Sequence, residues 1–150
     1  MARRSTTNTS TGVKSIFVDT GGFIALLHTD DRYHEAAASF YRRLGQAVLK
    51  VTTNFVIAET YTFLRYEAGH AEAVAFLDAV EESEKAGYLS VIQVAQDLEA
   101  GARLLLREYK DQKLSYTDAV TLAYLKSHPE IEAVFGFDRH LALSGRTLLP

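Results

Sequence analysis

Short apolar runs rich in β-branched residues alternate with stretches of helical periodicity, and this alternation restricts the fold more than any other feature of the chain. Ser15 to Asp19 (SIFVD), Val48 to Thr53, Leu89 to Val94 and Ala133 to Asp138 (AVFGFD) read as strands, and Thr147 to Leu149 as a short fifth. These runs are continuously apolar, as strands covered on both faces must be, whereas a half-solvated strand alternates. Between them, Thr20-Gly21-Gly22 reads as a turn into a short helix, Phe23 to His28. Tyr33 to Gln46 repeats apolar residues at Ala37, Phe40, Tyr41 and Leu44, which is helical spacing. Asn54 is positioned to cap a helix to about Ala68, and a further helix runs from Ala71 to Lys85 and stops at Gly87. Asp97 to Tyr109 and Thr117 to Ser127 complete the set, the last limited by Pro129. Strand and helix in alternation predict a three-layer α/β/α domain around a central parallel sheet of four to five strands.

With 150 residues, 47% of them hydrophobic, the chain suits one domain with an ordinary core. Residues 1–14 are mostly Ser, Thr and Asn and read as a flexible arm, leaving 15–150 as the folded domain. Cysteine is absent, which excludes disulfides, thiolate zinc sites and a cysteine nucleophile. No apolar run approaches the ~18 residues of a membrane span. Arg3-Arg4 is followed by polar residues rather than the apolar core of an export signal, so the expected location is cytoplasmic. The formal charge is −3, and the first 14 residues hold three cations and no acid, which leaves −6 for the domain. A nucleic-acid binder is usually basic, so an acidic one needs acids committed to a divalent ion, which inverts the local charge.

Four carboxylates fit that requirement. Asp19 and Asp138 each close an apolar strand, and in a parallel sheet those ends open on one edge. Turn initiation is the alternative for such an Asp. Glu59 shares a helical face with Phe55, Val56, Phe63 and Tyr66, where a carboxylate must be paired, protonated or bound to a metal. A buried ion pair with a distant Arg or Lys is its alternative. Asp118 faces the core side with Leu122 and Leu125, while Ser115-Tyr116-Thr117-Asp118 also spells a capping box. The two roles are compatible, since one carboxylate can accept an amide hydrogen bond and still bind a cation.

If the four converge, they cannot all stay ionised without a cation. Oxygen ligands without His or Cys select Mg²⁺ or Mn²⁺ over zinc, and such a site suits phosphoryl chemistry. A receiver-like Mg²⁺-binding module is a rival, but the third strand (LSVIQV) ends without the phospho-accepting Asp a receiver needs. An aspartyl phosphatase would place a second Asp two residues after the first, which VDTGG lacks.

The four acids and their surroundings resemble the PIN-domain family, in particular its VapC-type toxin ribonucleases. The resemblance rests on VDTGGFIALLHTDDRYHEAA at 18–37, TTNFVIAETYTFL at 52–64, LSYTDAVTLAYL at 114–125 and VFGFDRHL at 134–141. It implies that Asp19, Glu59, Asp118 and Asp138 are the catalytic, metal-holding acids, with Thr20 and Ser115 as supporting hydroxyls. It also implies metal-dependent cleavage of single-stranded or loop RNA, a homodimer and a small antitoxin partner. An interaction module of the same fold without nuclease activity is the alternative. Gly136 departs from the Thr or Ser that many relatives carry two residues before the last acid, and Leu141 replaces a common Phe.

Among the cations, Arg32, Arg139 and His140 are the candidates for RNA phosphate contact, the latter two because they follow Asp138. Arg42 and Arg43 lie on the polar face of an amphipathic helix. The Asn54–Ala68 helix is apolar on most sides, which predicts deep burial or contact with a second subunit.

Overall fold

The computed structural model describes residues 12–150. The core of the fold is one five-stranded sheet, all parallel, in the order β3-β2-β1-β4-β5. Its strands are β1 (Ser15–Val18), β2 (Leu49–Thr53), β3 (Ser90–Ile92), β4 (Ala133–Phe135) and β5 (Thr147–Leu149). The helices are α1 (Thr20–Leu27), α2 (His34–Arg43), α3 (Asn54–Glu67), α4 (His70–Lys85), α5 (Gln96–Glu108) and α6 (Tyr116–Ser127). The expected three-layer arrangement is present, because β1 and β4 are buried along their whole length and need cover on both faces.

Register decides what each face meets. Phe17 lies opposite Val134 and its ring sits 5.9 Å from Tyr124 of α6. Phe135, one residue on and therefore on the other face, packs against Phe40 of α2 at 5.3 Å. That second layer continues through Phe23 of α1 and Phe76 of α4, edge to face at 5.4 Å. Every residue of α6 from Thr117 to Leu125 is buried, since the sheet covers one side and α5 the other. Small residues permit this: Ala102, Ala119 and Ala123 form the α5–α6 contact.

Several local expectations need correction. Thr53, not Asn54, caps α3: its hydroxyl accepts from Val56 N at 3.3 Å, while Asn54 Oδ1 accepts from Val94 N. The side chain thus ties α3 to the loop after β3, a tertiary use that cap propensity does not register. The helix α3 is not deeply buried either. Only Val56, Thr60 and Leu64 are, whereas Phe63 is 37% and Tyr66 82% exposed. β4 stops at Phe135, three residues short of Asp138, and a 3-10 turn over Arg139–Ser144 follows. Arg146 secures that segment by donating to the carbonyls of Leu125, His128, Ile131 and Ser144. At the other end, Val13 packs on the core and Lys14 O accepts from Leu49 N, while the rest of the expected arm, residues 1–11, lies outside the described residues.

Gly21 and Gly22 lie within α1 rather than in a turn before it. A Cβ at Gly22 would collide with the Phe135 carbonyl oxygen and stand 3.1 Å from its carbon, so this glycine lets α1 press onto the end of β4. Gly101 in α5 is different: a Cβ there meets Ala123 Cβ at an ordinary 3.8 Å. Gly22→Ala should therefore lower unfolding free energy by roughly 1–3 kcal/mol despite alanine's better helix propensity. Gly101→Ala should raise it by roughly 0.5–1 kcal/mol. Urea titrations of both variants check the opposite signs.

Candidate metal centre

The sheet reverses its direction of winding between β1 and β4, and the chain exits both strands on the same edge. Asp19 leaves β1 there, held by its backbone N–H donating to Phe135 O at 3.0 Å. It begins α1, yet its carboxylate caps nothing. Asp19 is 3% exposed and its Oδ1 has no hydrogen-bond partner. Thr20 Oγ1 is likewise buried and unpartnered. A buried oxygen left without a donor is costly, and it needs a reason such as a bound ion. Gly136 is part of that reason. A Cβ there would stand 3.0 Å from Asp19 Cβ, so its absence makes room for the carboxylate and supplies no hydroxyl to it.

Asp118 arrives from the start of α6. The capping box is present: Asp118 N donates to Ser115 Oγ at 3.0 Å and Ser115 N to Asp118 Oδ2 at 3.2 Å. These two hydrogen bonds fix the rotamer of Asp118. Asp138 caps the 3-10 turn, its Oδ1 accepting from His140 N at 2.9 Å. The His140 ring folds back, with Nδ1 3.1 Å from Asp138 Oδ1 and 4.0 Å from Asp118 Oδ2. One ligand atom from each of Asp118, Asp138 and His140 lies within 4.8 Å of the others.

Asp19 and Glu59 stand outside that tight trio but inside its field. Burial raises the Asp19 pKa to about 7, and the charges of Asp118, Glu59 and Asp138 push the same way, against an opposing Thr20 amide. Burial likewise raises Asp118, followed by the Asp138 charge and, more weakly, that of Glu59. Asp19 and Asp118 therefore feel the charges of the other acids. Glu59 is half-buried rather than enclosed by apolar side chains, because Phe63 and Tyr66 turn partly to solvent. Among the described residues no Lys or Arg forms an ion pair with any carboxylate, so the ion-pair alternative for Glu59 lacks a partner.

Exposure increases outward, from Asp19 at 3% and Asp118 at 7% to 37% for the Asp138 side chain. Phe137, beside Asp138, stacks on Tyr33 at 4.2 Å, and the Arg32 guanidinium covers Tyr33 at 4.5 Å. The stack thus links Arg32 to the residue before Asp138 across more than a hundred residues of sequence, a contact no local pattern announces. Arg139 is exposed on the same 3-10 turn. Cavities of about 310 and 200 Å³ lie elsewhere, one beside α5 and α6 and one under α1 and α4, and neither contains these acids. The acids lie instead where β1, β4 and the start of α6 meet.

The residues present fit a divalent cation: an unpartnered buried carboxylate oxygen, further acids around it and no internal counter-charge. The sign of the linkage follows. A carboxyl raised from 3.8 to about 7 in the folded chain costs nothing while both states are protonated. As pH rises through that window the unfolded state ionises first, and stability falls until the folded pKa is passed. The full penalty, about 4 kcal/mol as an upper figure for three units, stands above pH ~7. In chelator, Asp19→Asn should therefore gain stability over the parent progressively from pH 4 to 8. A pH-independent difference between the two in denaturant titrations would contradict this.

The PIN domain family model matches residues 16–143, which include all four acids. Proteins from two strains of Mycobacterium tuberculosis, each named 23S rRNA-specific endonuclease VapC20, are 31% identical over 130 residues, covering 87% of this chain and 94% of theirs. The crystal structure of Mycobacterium tuberculosis VapC20, described as a Sarcin-Ricin loop cleaving toxin, matches with a TM-score of 0.79 at 28% identity, over 90% of this chain and 99% of that one. With its α/β/α sheet, its edge of converging acids and these similarities together, the chain belongs to the PIN domain family.

Proposed function

We propose that this protein is a metal-dependent endoribonuclease that hydrolyses RNA phosphodiester bonds, with Asp19, Glu59, Asp118 and Asp138 holding Mg²⁺ or Mn²⁺. The observation that carries the reading is the buried, unpartnered Asp19 carboxylate coupled to three further acids at the switch point of the sheet. The relatives named as a 23S rRNA-specific endonuclease and a Sarcin-Ricin loop cleaving toxin support RNA, and within RNA a structured loop, as the substrate class.

A divalent cation bound there supplies Lewis-acid polarisation of the scissile phosphate and charge for the leaving oxygen. The protein supplies position. Asp19 is set by the strand and by the approach of α1 to β4, Asp118 by the Ser115 box, and Asp138 by the His140 amide. These three carboxylates are held before substrate arrives, which avoids reorganisation during reaction. Glu59 lies on the more open side and completes the acid set. Thr20, unpartnered and next to Asp19, is a supporting hydroxyl. Arg32 and Arg139 contact backbone phosphates, and the local cations let an acidic domain approach RNA.

The same reading takes the protein as the toxin of a toxin–antitoxin pair, acting in the cytoplasm as a homodimer. No helix of the described residues is long and apolar enough to cross a membrane. The exposed Phe63 and Tyr66 on α3 suit a subunit contact.

Purified protein incubated with total cellular RNA and Mn²⁺ or Mg²⁺ should release fragments with 5′-phosphate ends, and chelation should stop it. Asp19→Asn, Glu59→Gln, Asp118→Asn and Asp138→Asn should each lose more than the roughly 10–100-fold typical of residues that only orient a ligand. The folded fraction should be unchanged. Cleavage that persists in all four variants identifies a contaminant. Absence of both cleavage and metal binding by calorimetry leaves a non-hydrolysing interaction module.

A further inference from the structure

The acid set was expected to contain oxygen ligands only, but the fold adds a nitrogen. We propose that His140 is a direct ligand of the bound ion, and that this makes the site prefer Mn²⁺ over Mg²⁺. The inference rests on the metal-dependent reading above and specifies which ion it concerns.

Geometry carries it. His140 Nδ1 faces both carboxylates, 3.1 Å from Asp138 Oδ1 and 4.0 Å from Asp118 Oδ2, and the three ligand atoms fit within 4.8 Å. A ring placed only to cover Asp138 has no need to approach Asp118 as well. The backbone N–H of His140 already donates to the same Asp138 oxygen at 2.9 Å, so the ring contact is not needed to cap the turn. A second, independent observation is the buried Asp19 Oδ1 with no hydrogen-bond partner, on a carboxyl that feels the charges of Asp118 and Asp138. The ring is free to offer its lone pair at Nδ1, because in the tautomer protonated at Nε2 that nitrogen is an acceptor.

Chemistry then separates the ions. Mg²⁺ is small, hard and reluctant to exchange water for anything but oxygen. Mn²⁺ also favours oxygen, but it opens the first-row divalent series along which affinity for nitrogen ligands such as imidazole rises, whereas Mg²⁺ stands outside that series. Two carboxylates with one imidazole thus form a mixed site that Mn²⁺ tolerates better than Mg²⁺ does. Arg146 holds the turn from behind through the Leu125, His128, Ile131 and Ser144 carbonyls, so the ring is presented by a braced segment.

Pulsed electron paramagnetic resonance of the Mn²⁺-loaded protein tests this without relying on activity. The parent protein should show nitrogen hyperfine coupling to the manganese, and His140→Gln should lack it. By calorimetry the ratio of Mn²⁺ to Mg²⁺ affinity should fall about tenfold or more in that variant, at least the loss seen when a residue that only orients a ligand is removed. The measurement on the parent stands even if the variant folds poorly. Bound Mn²⁺ without nitrogen coupling, or coupling unchanged in His140→Gln, overturns the ligand assignment and leaves the acid site intact. Failure of Mn²⁺ to bind at all overturns the metal reading as well.

Discussion

A carboxyl group in an almost sealed position sets the terms for the rest of this structure. Asp19 sits at the end of the central strand, 3% exposed, with one oxygen unpartnered and three other acids raising the cost of its charge. Folding alone gains nothing from that arrangement. Stability for the domain comes from the Phe17 and Phe135 faces of the sheet and from the tight α5–α6 contact, and part of it is given up at the edge. Such local expense is what a preorganised site requires, since groups that must act on a developing charge have to be aligned beforehand.

Close backbone approach makes the alignment possible. Gly22 admits the Phe135 carbonyl beneath α1, and Gly136 leaves space beside the Asp19 side chain. Larger residues at either position would lift α1 or displace Asp19, and the β1–β4 crevice would widen. Strand order matters equally. β1 lies between β2 and β4, so acids 119 positions apart in the chain, Asp19 and Asp138, come to one edge. The Arg146 side chain then fastens the 3-10 turn carrying Asp138 and His140 to the end of α6 and the approach to β4.

The exposure gradient gives the site a direction. Its deepest carboxylate is sealed and its outer one is wet, and the Arg32–Tyr33–Phe137 stack ends on the residue before Asp138. The partly exposed outer carboxylate, with Arg139 exposed beside it, is where a bulky polyanion can approach. On the proposed reading, a cation held by these four acids offsets part of the domain's net negative charge.

Local pattern was sufficient for the architecture, because continuous apolar runs and helical periodicity are one-dimensional signals of burial. The parallel α/β/α layers, the strand-end position of Asp19 and the Ser115–Asp118 box were all legible on that basis. The box was readable because its partners are three residues apart. Signals that depend on a distant neighbour were not. Asn54 has the residue type of a cap, but Val94 takes its side chain, and Thr53 does the capping instead. Glu59 has an apolar helical face in projection, yet which part of that face is covered depends on how α3 lies against its neighbours. Gly136 read as a missing hydroxyl, whereas the folded chain makes it a matter of space around Asp19. The inward turn of His140 arises from the 3-10 geometry after β4, which has no periodic signature in so short a segment. Sequence determined which groups were available and on which elements, since propensity and periodicity act over a few residues. Tertiary structure alone decided which of them meet, because strand order and close approach are properties of residues far apart in the chain.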